Sequence, residues 1–190
     1  MRIVAGSFRG RALASPDDGH IRPTSDRVRE AMFNILAHGI DGFDLNGVRV
    51  LDLFSGTGAL GLEALSRGAA FCLFVEDAIP ARGLIRRNVE AFGLTGATRI
   101  YRRDATDLGP ANARDTYGLV LADPPYGRGL GEAALAAAAS GGWLEAGATV
   151  VLEERADVSV AWPEGFTVLD ERRWGDTAGH FARWMGKPTA

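Results

Sequence analysis

Cysteine occurs once in the 190 residues, at Cys72, and lysine once, at Lys187. A lone cysteine excludes an intramolecular disulfide and any zinc site built on several thiolates, and it suits a reducing compartment. Three scattered histidines, His20, His38 and His180, offer no metal-ligand spacing, so no metal is expected. No apolar run reaches the length of a membrane span. The opening MRIVAGSFRGRAL lacks the apolar stretch of a secretory signal. The expectation is a cytoplasmic chain with no membrane partner. A serine-centred G-x-S-x-G elbow and a P-loop Gly-Lys-Ser/Thr are both missing, which removes two common catalytic classes.

With lysine nearly absent, the positive charge is almost all guanidinium, a group suited to bidentate phosphate contacts. The formal net charge is −3, which argues against a broad nucleic-acid surface. That average conceals a local concentration. Arg2, Arg9, Arg11, Arg22, Arg27 and Arg29 all fall within the first 30 residues.

A hydrophobic content of 46% is ample for one compact core at this length. The chain is organised around VRVLDLFSGTGALGLE. Val48, Val50, Leu51 and Leu53 read as a short apolar strand ending at Asp52 and Phe54, and Gly56, Gly58 and Gly61 follow. Leu60, Leu62, Ala64 and Leu65 then carry a helical pattern. A strand, a glycine turn and a helix bring a nucleotide-like ligand against backbone N–H groups. The spacing also fits G-x-G-x-x-G with an acid, Glu76, twenty residues beyond Gly56, so a dinucleotide site is an open alternative.

Residues 2–13 alternate loosely around Gly6 and Gly10 and are expected to form a small hairpin. In SDRVREAMFNIL, Val28, Ala31, Met32, Ile35 and Leu36 recur at helical spacing behind an N-cap at Thr24 or Ser25. This helix is either a solvated element docked on the main domain or a wall facing the substrate. The segments FCLFVE, TRIYRRDA, YGLVLADPPY and ATVVLEE then read as strands, alternating with helices over 78–92 and 133–139. The last section, FTVLDERRW and HFARWM, reads as an antiparallel pair at one sheet edge. Such alternation requires an α/β fold with a mostly parallel sheet and helices on both faces. Two units are expected: residues 1–40, hairpin and helix, and residues 41–190, the ligand-binding domain.

In such sheets ligands lie beyond the carboxyl ends of the strands, where Asp52, Glu76, Asp104 and Asp123 all fall. Glu76 is placed for ribose hydroxyls and Asp104 for an adenine amino group, with the Ala105 backbone beside the ring. Asp123-Pro124-Pro125-Tyr126 separates the candidates. Its prolines remove two donors, leaving the Asp123 carboxylate and the Pro124 carbonyl as acceptors beside the flat face of Tyr126. That suits a planar base held by its exocyclic amine. A hydride-transfer site needs a proton donor that the sequence does not offer.

LDLFSGTGALGLEALSRGA with Glu76, Asp104 and LADPPY resembles the class I S-adenosylmethionine-dependent methyltransferases that act on amino groups. RIVAGSFRGRAL and IRPTSDRVREAMFNIL resemble more narrowly the RsmD family of bacterial 16S ribosomal RNA guanine-N2-methyltransferases. The resemblance implies a Rossmann-like sheet of seven strands, mostly parallel with an antiparallel terminal strand. It implies methyl transfer to N2 of guanine 966 of 16S ribosomal RNA, within an assembled or assembling small subunit; a monomer is expected. S-adenosylmethionine would be held by Asp52, Phe54, Gly56, Gly58, Glu76, Asp77, Asp104 and Ala105 and leave as S-adenosylhomocysteine. Catalysis would fall to Asp123, Pro124, Pro125 and Tyr126. RNA would meet Arg9, Arg11, Arg22, Pro23, Thr24, Arg27 and Arg29. The tail, Arg172 or Arg173 with Trp174, Gly175, Asp176 and Thr177, departs from the family by carrying tryptophan where tyrosine is usual. The rival within the class is an adenine-N6 enzyme on DNA or RNA, since DPPY serves both bases. Outside it stand a nicotinamide-dependent oxidoreductase and a non-catalytic RNA-binding module.

Overall fold

The computed structural model describes residues 1–15 and 25–186. Its elements are α1 (Asp26–His38), β1 (Arg49–Leu53), α2 (Ala59–Ser66), β2 (Phe71–Val75), α3 (Ile79–Ala91), β3 (Thr98–Tyr101), β4 (Tyr117–Ala122), α4 (Leu130–Ser140), β5 (Leu144–Arg155), β6 (Phe166–Trp174) and β7 (Thr177–Trp184). They build one seven-stranded sheet in the order β3-β2-β1-β4-β5-β7-β6. The first five strands pair in parallel. β7 enters antiparallel between β5 and β6, so the terminal pair extends the sheet at one edge as expected.

The parallel strands are nearly continuous apolar runs because both of their faces are covered. Alternation assigns their side chains to two cores. Val50, Cys72, Phe74, Leu119, Leu121 and Val151 face Met32, Phe33 and Leu36 of α1, Leu62 and Leu65 of α2, and Ile85 and Val89 of α3. Leu51, Leu73, Val120, Val150 and Leu152 face Ala134, Leu135 and Ala138 of α4. Ile3 and Leu13 are buried in the first of these cores, so the N-terminal hairpin shares its packing. The hairpin itself is minimal: one antiparallel bridge, Arg2 to Ala12, closed by backbone bonds from Gly10 N–H to Ile3 and from Leu13 N–H to Met1.

Ser25 caps α1, its hydroxyl accepting the Val28 N–H at 3.2 Å. Thr24, the other candidate cap, lies outside the described residues. β4 stops at Ala122 because Pro124 and Pro125 cannot donate to a central ladder. No helix among the described residues is long and apolar enough to cross a membrane.

Candidate active site

The carboxyl ends of β1, β2 and β4 open into a cavity of about 610 Å³, within the range typical of small-molecule sites. Asp52, Phe54, Gly56, Glu76 and Asp77 line one half of it. Asp123, Pro124, Pro125 and Tyr126 line the other. The two halves of the predicted site therefore share one space.

The glycine loop is held by carboxylates on both sides. Asp52 is buried, and its Oδ2 accepts the Gly61 N–H at 3.0 Å. That N–H belongs to the first turn of α2, which has no acceptor within the helix. Burial pushes the Asp52 pKa up to about 8, the Gly61 N–H draws it back, and the negative charge of Glu76 adds to the rise. Glu76 accepts the Gly56 N–H through Oε2 at 2.8 Å and the Ala78 N–H through Oε1 at 2.9 Å. Its pKa is raised as well, chiefly by burial, against those two backbone bonds. Asp52 thus orients the loop from below while Glu76 fixes it at the rim.

Gly61 carries no side chain for a packing reason. A Cβ there would stand 2.5 Å from Cys72 Sγ and from the Phe74 ring, and 2.9 Å from Asp52 Oδ2. Phe54 is the single non-glycine residue with positive φ, at 57°, among the described residues. A bulky side chain held there costs on the order of 1–3 kcal/mol and persists only where its surroundings impose it. Its ring lines the main cavity and also a small recess shared with Glu76, Asp77, Arg103 and Ala105.

Three expected positions fall elsewhere. Asp104 lines neither space: its Oδ1 accepts the N–H and hydroxyl of Thr106 at 2.8 and 2.7 Å, which holds its carboxyl below the usual range. Gly58 sits behind the cavity wall as the left-handed N-cap of α2, at φ 80°. Arg29 corrects the expectation of an RNA contact. Its side chain is fully buried, with Nε 3.4 Å from Glu63 Oε2 and one amino group bonded to Asp26 and to the Arg2 carbonyl. Glu63 also accepts the Val4 and Ala5 N–H groups and pairs with Arg67. Arg29 therefore ties α1 and the N-terminal hairpin to α2.

Arg9, Arg11 and Arg27 are exposed, although Arg11 lies on the rings of Phe8 and Phe92 and donates to the Ala91 carbonyl. Arg22, Pro23 and Thr24 lie outside the described residues. Among those described, no cluster of His, Cys, Asp and Glu could hold a metal ion.

Several lining residues escaped the sequence reading. Ser25 and Val28 bring the start of α1 over the cavity, the wall-like role that its position left open. Glu153, Trp174, Asp176 and Thr177 close the far side. The signal for Glu153 was present, since the fifth strand, like the others, ends in an acid. The Tyr126 hydroxyl donates to Glu153 Oε1 at 2.5 Å. Burial, together with the charges of Glu153 and Asp123, drives the phenol pKa upward, so Tyr126 stays neutral.

A parallel five-stranded core with a reversed β7, a glycine loop under β1 and a proline-blocked β4 facing it define a class I S-adenosylmethionine-dependent methyltransferase fold. The solved structure of the Escherichia coli protein yhhF matches with a TM-score of 0.83 and 30% identity, covering 98% of this chain and 99% of that one. The chain belongs to the family described as Conserved hypothetical protein 95, the RsmD family, which matches residues 1–183. It is 38% identical to ribosomal RNA small subunit methyltransferase D of Escherichia coli K12, over 83% of this chain and 76% of that protein. The protein of the same name from Haemophilus influenzae is 31% identical, over 92% and 89% respectively.

Proposed function

We propose that the protein transfers a methyl group from S-adenosylmethionine to the exocyclic N2 of one guanine in 16S ribosomal RNA. The observation that carries this reading is the shared cavity: the glycine loop held by Asp52 and Glu76 opens directly onto Asp123–Tyr126. The residues present fit the cofactor. Glu76 and Asp77 stand at the rim for ribose hydroxyls, Phe54 offers a ring, and the loop lets a ligand approach backbone closely.

S-adenosylmethionine supplies a methyl group on a positively charged sulfur. The exocyclic amine is a weak nucleophile because its lone pair is delocalised into the base. Asp123 and the Pro124 carbonyl accept its two hydrogens, which stabilises the positive charge that grows on nitrogen. Holding the amine in line supplies several of the roughly 7–11 kcal/mol available to ideal orientation. With S-adenosylmethionine bound, the nitrogen lone pair would form the new N–C bond as the C–S pair stays on sulfur, and the proton then lost from nitrogen would pass to Asp123 or to solvent. Asp123 therefore does not have to be a strong base.

Residues 1–40 serve as the RNA-facing appendage of the methyltransferase unit formed by 41–190, with Arg9, Arg11, Arg22, Pro23, Thr24 and Arg27 toward the RNA. A substrate already assembled with small-subunit proteins accommodates the net charge of −3, because protein surfaces join phosphates in recognition. The enzyme acts as a cytoplasmic monomer. Calorimetric titration tests the cofactor assignment: S-adenosylmethionine and S-adenosylhomocysteine bind and NAD does not. Binding of NAD alone would overturn it.

A further inference from the structure

Two acceptors at Asp123 and Pro124 hold an amino group but do not say which base carries it. Guanine at N2 and adenine at N6 both present an NH2. They differ at the neighbouring ring nitrogen, where guanine has an N1–H donor and adenine has a lone pair.

The sheet places a second carboxylate beside Asp123 on the rim. β4 and β5 pair Leu121 with Val151 and Ala122 with Leu152. The next residues, Asp123 and Glu153, therefore stand side by side on the same face of the sheet. Glu153 is 2% exposed yet lines the cavity. Its partner on β7 is Gly179, and the Trp174 ring covers that glycine so closely that a Cβ would meet it at 2.7 Å. An aromatic side chain, itself part of the cavity wall, thus stands near the carboxylate, which the Tyr126 hydroxyl also reaches. Aromatic walls beside acceptors are what a flipped-out base requires.

We infer that Glu153 is the residue that selects guanine, accepting the base N1–H while the N2 amine lies at Asp123 and Pro124. This rests on the methyltransferase reading above and adds the source of its base specificity. An adenine turned to present N6 at Asp123 would bring the N1 lone pair against the Glu153 carboxylate, acceptor against acceptor. The Tyr126 hydroxyl donates to Glu153 Oε1 and so holds the carboxylate in place.

The test uses the full chain and small-subunit particles carrying either guanine or 2-aminopurine at the target position. 2-Aminopurine keeps the N2 amine, replaces N1–H by a lone pair and lacks the O6 carbonyl, so the change of the ratio on mutating Glu153, not the wild-type ratio alone, reports the N1 contact. The wild type should favour guanine in kcat/KM by about a hundredfold, the upper range for loss of one well-placed base contact. Glu153→Gln, whose amide also donates, should narrow that ratio at least about tenfold. Glu153→Asp and Tyr126→Phe keep a carboxylate and should preserve the ratio, whatever they do to the rate. If Glu153→Gln and Glu153→Asp change the ratio alike, or Glu153→Gln slows both substrates in proportion, Glu153 only positions Tyr126 and the inference is overturned. A wild type that binds S-adenosylmethionine and methylates neither particle contradicts the guanine reading itself, a result distinct from any change in the ratio.

Discussion

Arg29 and Glu63 meet inside the protein, 3.4 Å apart, with both side chains fully buried. Glu63 is also the acceptor for the Val4 and Ala5 N–H groups, so the pair joins three segments: the hairpin, α1 and α2. Replacing Arg29 takes from the buried Glu63 one of its two guanidinium partners, leaving Arg67 and the two N–H groups, and empties the space of a fully buried side chain. Arg29→Ala should cost about 3–5 kcal/mol of stability, read as a lower denaturation midpoint in urea. A loss near zero would contradict the clamp and restore Arg29 as a candidate surface contact.

Stability should fall as pH rises because of Asp52. Its carboxyl has an ordinary value of 3.8 and is raised to about 8 in the folded protein, chiefly by burial. The native state then binds the proton more tightly than the unfolded chain. The contribution is fully present below pH 4, declines through the interval up to 8, and levels off above it, at up to about 1.4 kcal/mol per pH unit. Glu76, also raised by burial, acts in the same direction. Asp52→Asn should flatten this slope in denaturation measured between pH 5 and 8.5 while still accepting the Gly61 N–H. An unchanged slope would exclude Asp52 as its source.

Two glycines should respond in opposite ways to alanine. At Gly61 the new methyl meets Cys72, Phe74 and the Asp52 carboxylate within 3 Å, so Gly61→Ala should lose about 1–3 kcal/mol and weaken cofactor binding through Asp52. At Gly83, in α3, nothing lies within 4 Å of the added carbon, and Gly83→Ala should gain about 0.5–1 kcal/mol. Thermal melting of the two variants checks both signs.

Asp123→Ala should leave S-adenosylmethionine affinity nearly intact and slow methyl transfer at least about tenfold, since it removes an acceptor used as charge develops. Titration and single-turnover kinetics on one preparation separate the two effects. Wild-type turnover would refute the assigned role.

Much of this site was legible in the sequence because its signals are local. The strand, glycine turn and acid of β1 and β2, and the proline stop of β4, are written in contiguous residues whose backbone chemistry is restrictive. What escaped depends on contacts distant in the chain. Arg29 looked like a surface cation because helical spacing does not reveal that Glu63, 34 residues on, waits beneath it. Asp104 looked like its neighbours on the rim, yet β3 ends at Tyr101 and the chain turns on Thr106 before reaching the cavity. Trp174 enters the site only through the pairing of β5, β7 and β6, which no short motif specifies, whereas Glu153 carried the same strand-end signal as the other rim acids.

The central claim is tested most directly by the chemistry left on RNA. Mass spectrometry of 16S ribosomal RNA, compared between cells with and without an intact copy of this chain, should show one N2-methylguanine at a single position that disappears on deletion and returns when the purified protein and S-adenosylmethionine are added to the undermethylated small subunits. Unchanged guanine methylation, or the loss of a methyladenine instead, would contradict the account.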